Sequence, residues 1–122
     1  MKIGVMKYLF FFLALVTLQN SVIAQQDPGV TKIFIVRHAE KETGKDPLLT
    51  AAGNARAGDL MRALQNEGIQ KIYVSQYRRT QNTGDSLRLQ LKIDTVQYAA
   101  DTLCYNLINA IMVHSDFGKT IL

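Results

Sequence analysis

The sequence predicts an α/β protein, a three-layer α/β/α fold around a mostly parallel sheet that is incomplete at the C-terminus. Three observations carry this. Short β-branched runs alternate with amphipathic segments of roughly ten to fifteen residues, the pattern of right-handed βαβ units. The first run, Ile33-Phe34-Ile35-Val36, is apolar throughout, as expected of a parallel strand buried on both faces. The last, Gly118-Lys119-Thr120-Ile121-Leu122, opens like a strand and stops after two apolar residues.

Met1–Ala24 has the parts of a secretory signal. Lys2 and Lys7 supply the positive end, and Val22-Ile23-Ala24 suits a signal peptidase. The uncharged core, Tyr8 to Leu18, is about 11 residues long, short of the ~20 that span a bilayer. An uncleaved anchor is the competing reading. The domain expected to remain, residues 25–122, would work in the periplasm or as a secreted protein. Pro28-Gly29 marks a short lead-in that cannot extend a helix.

A first strand is expected at Lys32–Val36, followed by a polar loop from Glu40 to Pro47. Thr50 is placed to cap the next helix, because its hydroxyl can accept from amides two or three residues on. Ala57, Leu60, Met61 and Leu64 give that helix one apolar face, and Gly68 can take the left-handed conformation that closes it. Lys71–Val74 reads as a second strand ending at Ser75-Gln76-Tyr77-Arg78-Arg79. A helix over Thr80–Leu89 follows, then a weaker strand at Ile93–Val96. Asp101 or Thr102 caps a third helix to about His114, with Leu103, Leu107, Ile108, Ile111 and Met112 toward the core. Cys104, the lone cysteine, sits in an apolar run and is expected to be a small buried hydrophobe.

The chain has 122 residues, 48% apolar and 20% charged, which fits one globular domain. Net charge is +4, but setting Lys2 and Lys7 aside leaves 12 basic against 10 acidic residues. These are scattered rather than gathered into a stripe, so no nucleic-acid partner is expected. Nor is a membrane partner, once the leader is removed. One cysteine excludes an internal disulfide, and two histidines, His38 and His114, cannot build a histidine-rich metal site. No cofactor and no metal are expected.

Arg37 and His38 follow the first strand directly, at the end where open parallel sheets bind ligands. A guanidinium presents a planar fork of donors that matches a phosphate, and a neutral imidazole can attack phosphorus. Phosphoryl transfer is mostly positioning and charge stabilisation. Arg79, near the tip of the second strand, would supply a second fork.

Ile33-Phe34-Ile35-Val36-Arg37-His38-Ala39-Glu40 resembles the Arg-His-Gly/Ala signature of the histidine phosphatase (phosphoglycerate mutase-like) superfamily. Leu49-Thr50-Ala51-Ala52-Gly53 resembles its Leu-Thr-x-x-Gly helix start. Ser75 to Thr83 resembles its Ser-x-x-x-Arg-(Ala/Thr)-x-x-Thr segment. The compact size is similar to that of the small bacterial phosphohistidine phosphatases. The resemblance implies a phosphatase that hydrolyses a phosphomonoester or phosphoramidate through a phosphohistidine on His38. Arg37 and Arg79 would bind the phosphate, which a phosphorylated small molecule or phosphoprotein would bring. In the family a second pocket histidine follows a strand of the type that begins at Lys119-Thr120-Ile121-Leu122. That histidine would lie beyond residue 122, so the chain looks truncated at its C-terminus.

Alternatives stay open at several positions. Glu40, two residues past His38, could be the general acid or a solvated loop carboxylate. Asp101 could be that acid or an ordinary helix cap. Ser75 reads as a helix-entry cap rather than a nucleophile, Arg78 as solvated, and His114 as a helix C-terminal residue favoured by the dipole. A silent or truncated phosphate-binding relative, lacking the second histidine, is the competing function.

Overall fold

In the computed structural model, which describes residues 29–122, four strands alternate with three helices. The elements are β1 (Lys32–Ile33), α1 (Ala51–Leu64), β2 (Ile72–Ser75), α2 (Arg78–Leu91), β3 (Thr95–Tyr98), α3 (Tyr105–Val113) and β4 (Thr120–Ile121). The expected signal, residues 1–24, lies outside the described residues.

Local rules explain the boundaries. Thr50 caps α1 as expected, its hydroxyl accepting from the Gly53 N–H at 3.0 Å. The helix ends at Leu64, ahead of a turn that reaches Gly68 at φ +71°. α2 begins two residues earlier than the pattern predicts and closes on Lys92 in the left-handed region. β3 starts at Thr95 rather than Ile93.

β1 and β4 pair in parallel, Lys32 opposite Thr120 and Ile33 opposite Ile121. β2 and β3 pair in parallel from Ile72 opposite Thr95 to Ser75 opposite Tyr98. β4 also meets β2: Lys71 bridges to Ile121, and the Tyr73 N–H donates to the Leu122 carbonyl at 2.7 Å. Strand order is therefore β1-β4-β2-β3, with the last strand in sequence between the first and the second. The fold is α/β with parallel pairing.

Side chains alternate across a strand, which sets the layers. Ile72 and Val74 point toward α2, where a Cβ on Gly84 would lie 3.4 Å from Ile72 Cγ2. Tyr73 points the other way, toward Asp116 and His114 just past α3. Leu64, Ile69, Ile72, Val74 and Leu87 form the core on the α1/α2 side, with Phe34 and Leu122 packed against it. Each such side chain fully withdrawn from water contributes about 1.5–3 kcal/mol.

The opposite face is less covered, and three expectations fail there. β1 is not buried on both faces: Ile35 is 92% exposed, and Ile33 and Val36 are exposed too. No described strand pairs with Ile35 and Val36, and β1 is shorter than Lys32–Val36. Helix α3 packs along β3 at the far edge and buries no residue completely. Leu103, Ile108 and Met112 are exposed, while Leu107 and Ile111 turn toward a groove beside β2. Cys104 is exposed in the left-handed region ahead of α3, not a buried hydrophobe.

Candidate active site

The tip of β1 turns through Arg37, His38, Ala39 and Glu40. Arg37 is exposed and His38 half-buried. His38 Nδ1 lies 2.8 Å from the Ala39 carbonyl. A carbonyl only accepts, so Nδ1 carries the proton in that bond. The lone pair of the neutral ring is then on Nε2, free of the backbone.

Ala39 is fully buried, and its N–H donates to the Thr83 hydroxyl at 2.9 Å. That hydroxyl donates onward to the Arg79 carbonyl at 2.7 Å. One side chain thus ties the residue after the histidine to the first turn of α2, the turn that carries Arg79.

The entry to α2 is built from several elements. Ser75, at the end of β2, shares a hydrogen bond of 2.7 Å with Thr80, whose hydroxyl also reaches the Tyr77 carbonyl at 2.8 Å. Ser75 therefore helps fix the helix entry, as expected, and among the described residues its side-chain partners include no histidine. Tyr77, the N-cap residue, has no side-chain cap bond. Asp46 does that work from the loop before α1, accepting from the Arg78 N–H at 3.0 Å. The Arg78 side chain is exposed, while Arg79 is half-buried with its guanidinium carbon 4.2 Å from the centre of the Tyr77 ring. Arg79 Nε is buried without a hydrogen-bond partner among the described residues.

Neither candidate acid is set up as a proton donor. Glu40 Oε1 is 2.9 Å from Arg56 of α1, and the pair is well exposed. The Glu40 carbonyl accepts from the Thr50 N–H at 2.9 Å, seating the tip on the start of α1. Asp101 accepts from the N–H groups of Asn106, Tyr105 and Leu103. The bond from Asn106 leads those that hold its carboxyl below the ordinary value, despite some desolvation. Its side chain thus caps the first turn of α3 from three residues ahead of Cys104, the N-cap residue, which makes no side-chain cap bond. His114 is the exposed C-cap of that helix, edge-on to Tyr73 with ring centres 6.5 Å apart.

A groove of about 130 Å³ runs from His38 between the Phe34–Val36 stretch and β2, bordered by Ile121 and Leu122. Phe34, Val74, Thr83, Tyr98 and Ile111 are among its walls. Burial pushes the Tyr98 hydroxyl above its usual value, and nearby Cys104 and Asp101 add to this. Among the described residues no three His, Cys, Asp or Glu side chains gather as a metal-holding group. The sequence reading assigns no role to Thr83, Tyr77 or Asp46. Tyr77 and Thr83 fall inside the matched Ser75–Thr83 stretch, whereas Asp46, in the polar loop from Glu40 to Pro47, carries no sequence signal.

The family model of the histidine phosphatase superfamily, branch 1, matches residues 33–101. Among solved structures, the chain is similar to an Agrobacterium tumefaciens protein assigned provisionally as the phosphohistidine phosphatase SixA. The two share 21% identity and superpose with a TM-score of 0.60, covering 76% of this chain and 68% of that one. A Nakamurella multipartitia structure with the same provisional assignment matches at 18% identity and a TM-score of 0.50. That match covers 73% of this chain and 55% of the other. At these identities the likeness is one of fold. No curated protein matches the chain.

Proposed function

This chain belongs to the histidine phosphatase superfamily, and on that footing we propose that it hydrolyses a phosphomonoester or phosphoramidate through a phosphohistidine at His38. The observation that carries this is the bond from His38 Nδ1 to the Ala39 carbonyl, which leaves Nε2 as the free nucleophilic nitrogen. Nε2 attacks phosphorus, the bond from phosphorus to the leaving atom breaks, and the leaving atom takes a proton. Water then attacks the phosphoryl group on Nε2, and orthophosphate departs with the imidazole restored. Arg37 and Arg79 stabilise the charge that develops on the phosphoryl oxygens.

The leaving group can be narrowed by chemistry. Glu40 is engaged by Arg56, and Asp101 is held low by the N–H groups it caps. An alkoxide leaving group needs strong protonation in the transition state. A phenolate needs much less, and an imidazole leaves as the neutral ring once its other nitrogen has taken a proton from solvent. This favours aryl phosphates and phosphoramidates of the imidazole type over alkyl phosphates, and a phosphorylated protein or small molecule of that kind as substrate. Export of the chain, directed by residues 1–24, belongs to the same proposal and is tested by locating the protein after cell fractionation.

The enzymatic test is to incubate the protein with an aryl phosphate, quench in base, and map the phosphate. Acid-labile phosphate on His38, and its loss in His38→Ala together with turnover, is the expected result. A second reading rests on Arg37, exposed and next to His38 in sequence: a chain that binds phosphate without turning it over. Orthophosphate binding with neither phosphorylated His38 nor release from an aryl phosphate would favour that reading.

A further inference from the structure

Tyr77 occupies a position for which its side chain is poorly suited. N-cap residues that stabilise a helix carry a short acceptor, such as Ser, Thr, Asp or Asn, and a phenol ring offers none to the first turn. Here the cap bond is supplied from a distance by Asp46. The ring is instead laid against the Arg79 guanidinium, 4.2 Å from its carbon. Arg79 in turn has a buried Nε with no acceptor, and its side chain pairs with no carboxylate among the described residues. Burying part of a guanidinium without an acceptor is costly, and the negative face of an aromatic ring offsets that cost.

From this we infer that Tyr77 is a positioning residue for anion binding: its ring holds the Arg79 guanidinium in place while leaving the donor fork uncommitted. A carboxylate partner would hold the guanidinium equally well, but it would occupy the donors that a phosphoryl group needs and cancel the charge. A ring does neither. Because the Thr83 hydroxyl ties the Arg79 backbone to Ala39, the residue after His38, side-chain torsions alone decide where the guanidinium goes. The Tyr77 face limits those torsions. The inference rests on the phosphatase reading above and adds to it the means by which one clamp is set.

The test uses the full chain, orthophosphate as the probe, and two variants. Tyr77→Phe keeps the ring and should keep orthophosphate affinity. Tyr77→Leu removes the π face and should weaken affinity roughly 3–30-fold, as expected for a partly desolvated cation–π contact. With an aryl phosphate, Tyr77→Leu should raise KM in step. The wild-type protein gives a readout that needs no variant. The Arg79 Nε–H resonance should lie upfield through the ring current of Tyr77 and should move when orthophosphate is added. Unchanged affinity in Tyr77→Leu, or an Arg79 Nε–H at an ordinary shift that ignores orthophosphate, would overturn the inference while leaving the phosphatase reading intact. A wild-type chain that neither binds orthophosphate nor releases it from an aryl phosphate would overturn both.

Discussion

The Ala39 N–H and the Thr83 hydroxyl meet at 2.9 Å across 44 positions of sequence, and both ends of that bond are buried. The same hydroxyl spends its proton on the Arg79 carbonyl at 2.7 Å. Thr83→Val keeps the shape and removes both bonds, leaving a buried N–H without an acceptor at a cost of about 1–3 kcal/mol. The larger expected effect is on kcat, because the histidine and the arginine lose their common fixture. Thr83→Ser should restore most of the rate. Steady-state kinetics beside thermal melting separates the two effects, and a Thr83→Val enzyme with unaltered kcat would show that the bond is structural only.

Gly53 sits where α1 meets the tip of β1. A Cβ there would lie 2.0 Å from the Glu40 carbonyl oxygen, a backbone atom that cannot swing aside. Gly53→Ala must push Glu40 away, and His38 is only two residues upstream. Activity and melting temperature should fall together. Gly58, in the same helix, is the control: its nearest neighbour is the flexible end of Arg62 at 3.4 Å. Gly58→Ala should stabilise by about 0.4–1 kcal/mol through the unfolded chain and leave turnover alone.

What the sequence made legible follows the range of the interaction involved. The Thr50 cap spans three residues, so the local pattern reveals it. The Arg37-His38 tip and the Ser75–Thr83 segment are contiguous stretches, so the sequence alone displays them. Strand order was not readable, since placing β4 between β1 and β2 depends on Tyr73 meeting Leu122, far apart in sequence. Burial fails for the same reason. Ile35 and Leu103 have the hydropathy of core residues, but exposure is decided by which element lies alongside. Asp116 gives no signal at all in its turn; its meaning comes from Tyr73, 43 positions away.

Asp116 is fully buried between the Tyr73 hydroxyl and the Lys119 ammonium, each 2.5 Å from it. Burial alone would raise its carboxyl, yet the bonds from Lys119 and Tyr73 hold it below the ordinary value. Tyr73 is shifted the other way: desolvation and then its bond to Asp116 push the phenol well above its usual value. The depressed carboxyl contributes stability above the unfolded value of about 3.9, lost as pH falls through the folded value. The raised phenol contributes stability below its unfolded value of about 10, lost as pH rises beyond that. Asp116→Asn should cost about 1–3 kcal/mol near neutrality and flatten the acid limb. It should also bring the Tyr73 phenolate absorbance in at lower pH. A Tyr73 titration that stays put in Asp116→Asn would sink this account.

The two candidate acids, Glu40 and Asp101, can be sorted by one pair of variants. Asp101 is occupied by three N–H groups at the start of α3 and is already held ionised below its ordinary range. A group in that state has no proton to give at neutral pH, so Asp101→Asn should fray α3 without altering the pH profile of kcat. Glu40 is in a salt-exposed pair with Arg56 at 2.9 Å, and such pairs contribute only about 0–1 kcal/mol. Glu40→Gln therefore tests chemistry with little structural penalty. If leaving groups need no proton from it, Glu40→Gln should hydrolyse an aryl phosphate at the wild-type rate and phosphohistidine nearly as well. The rate should remain low for an alkyl phosphate in both proteins. A selective collapse on alkyl phosphate in Glu40→Gln would instead assign Glu40 as the proton donor, with the Arg56 pair opening during turnover.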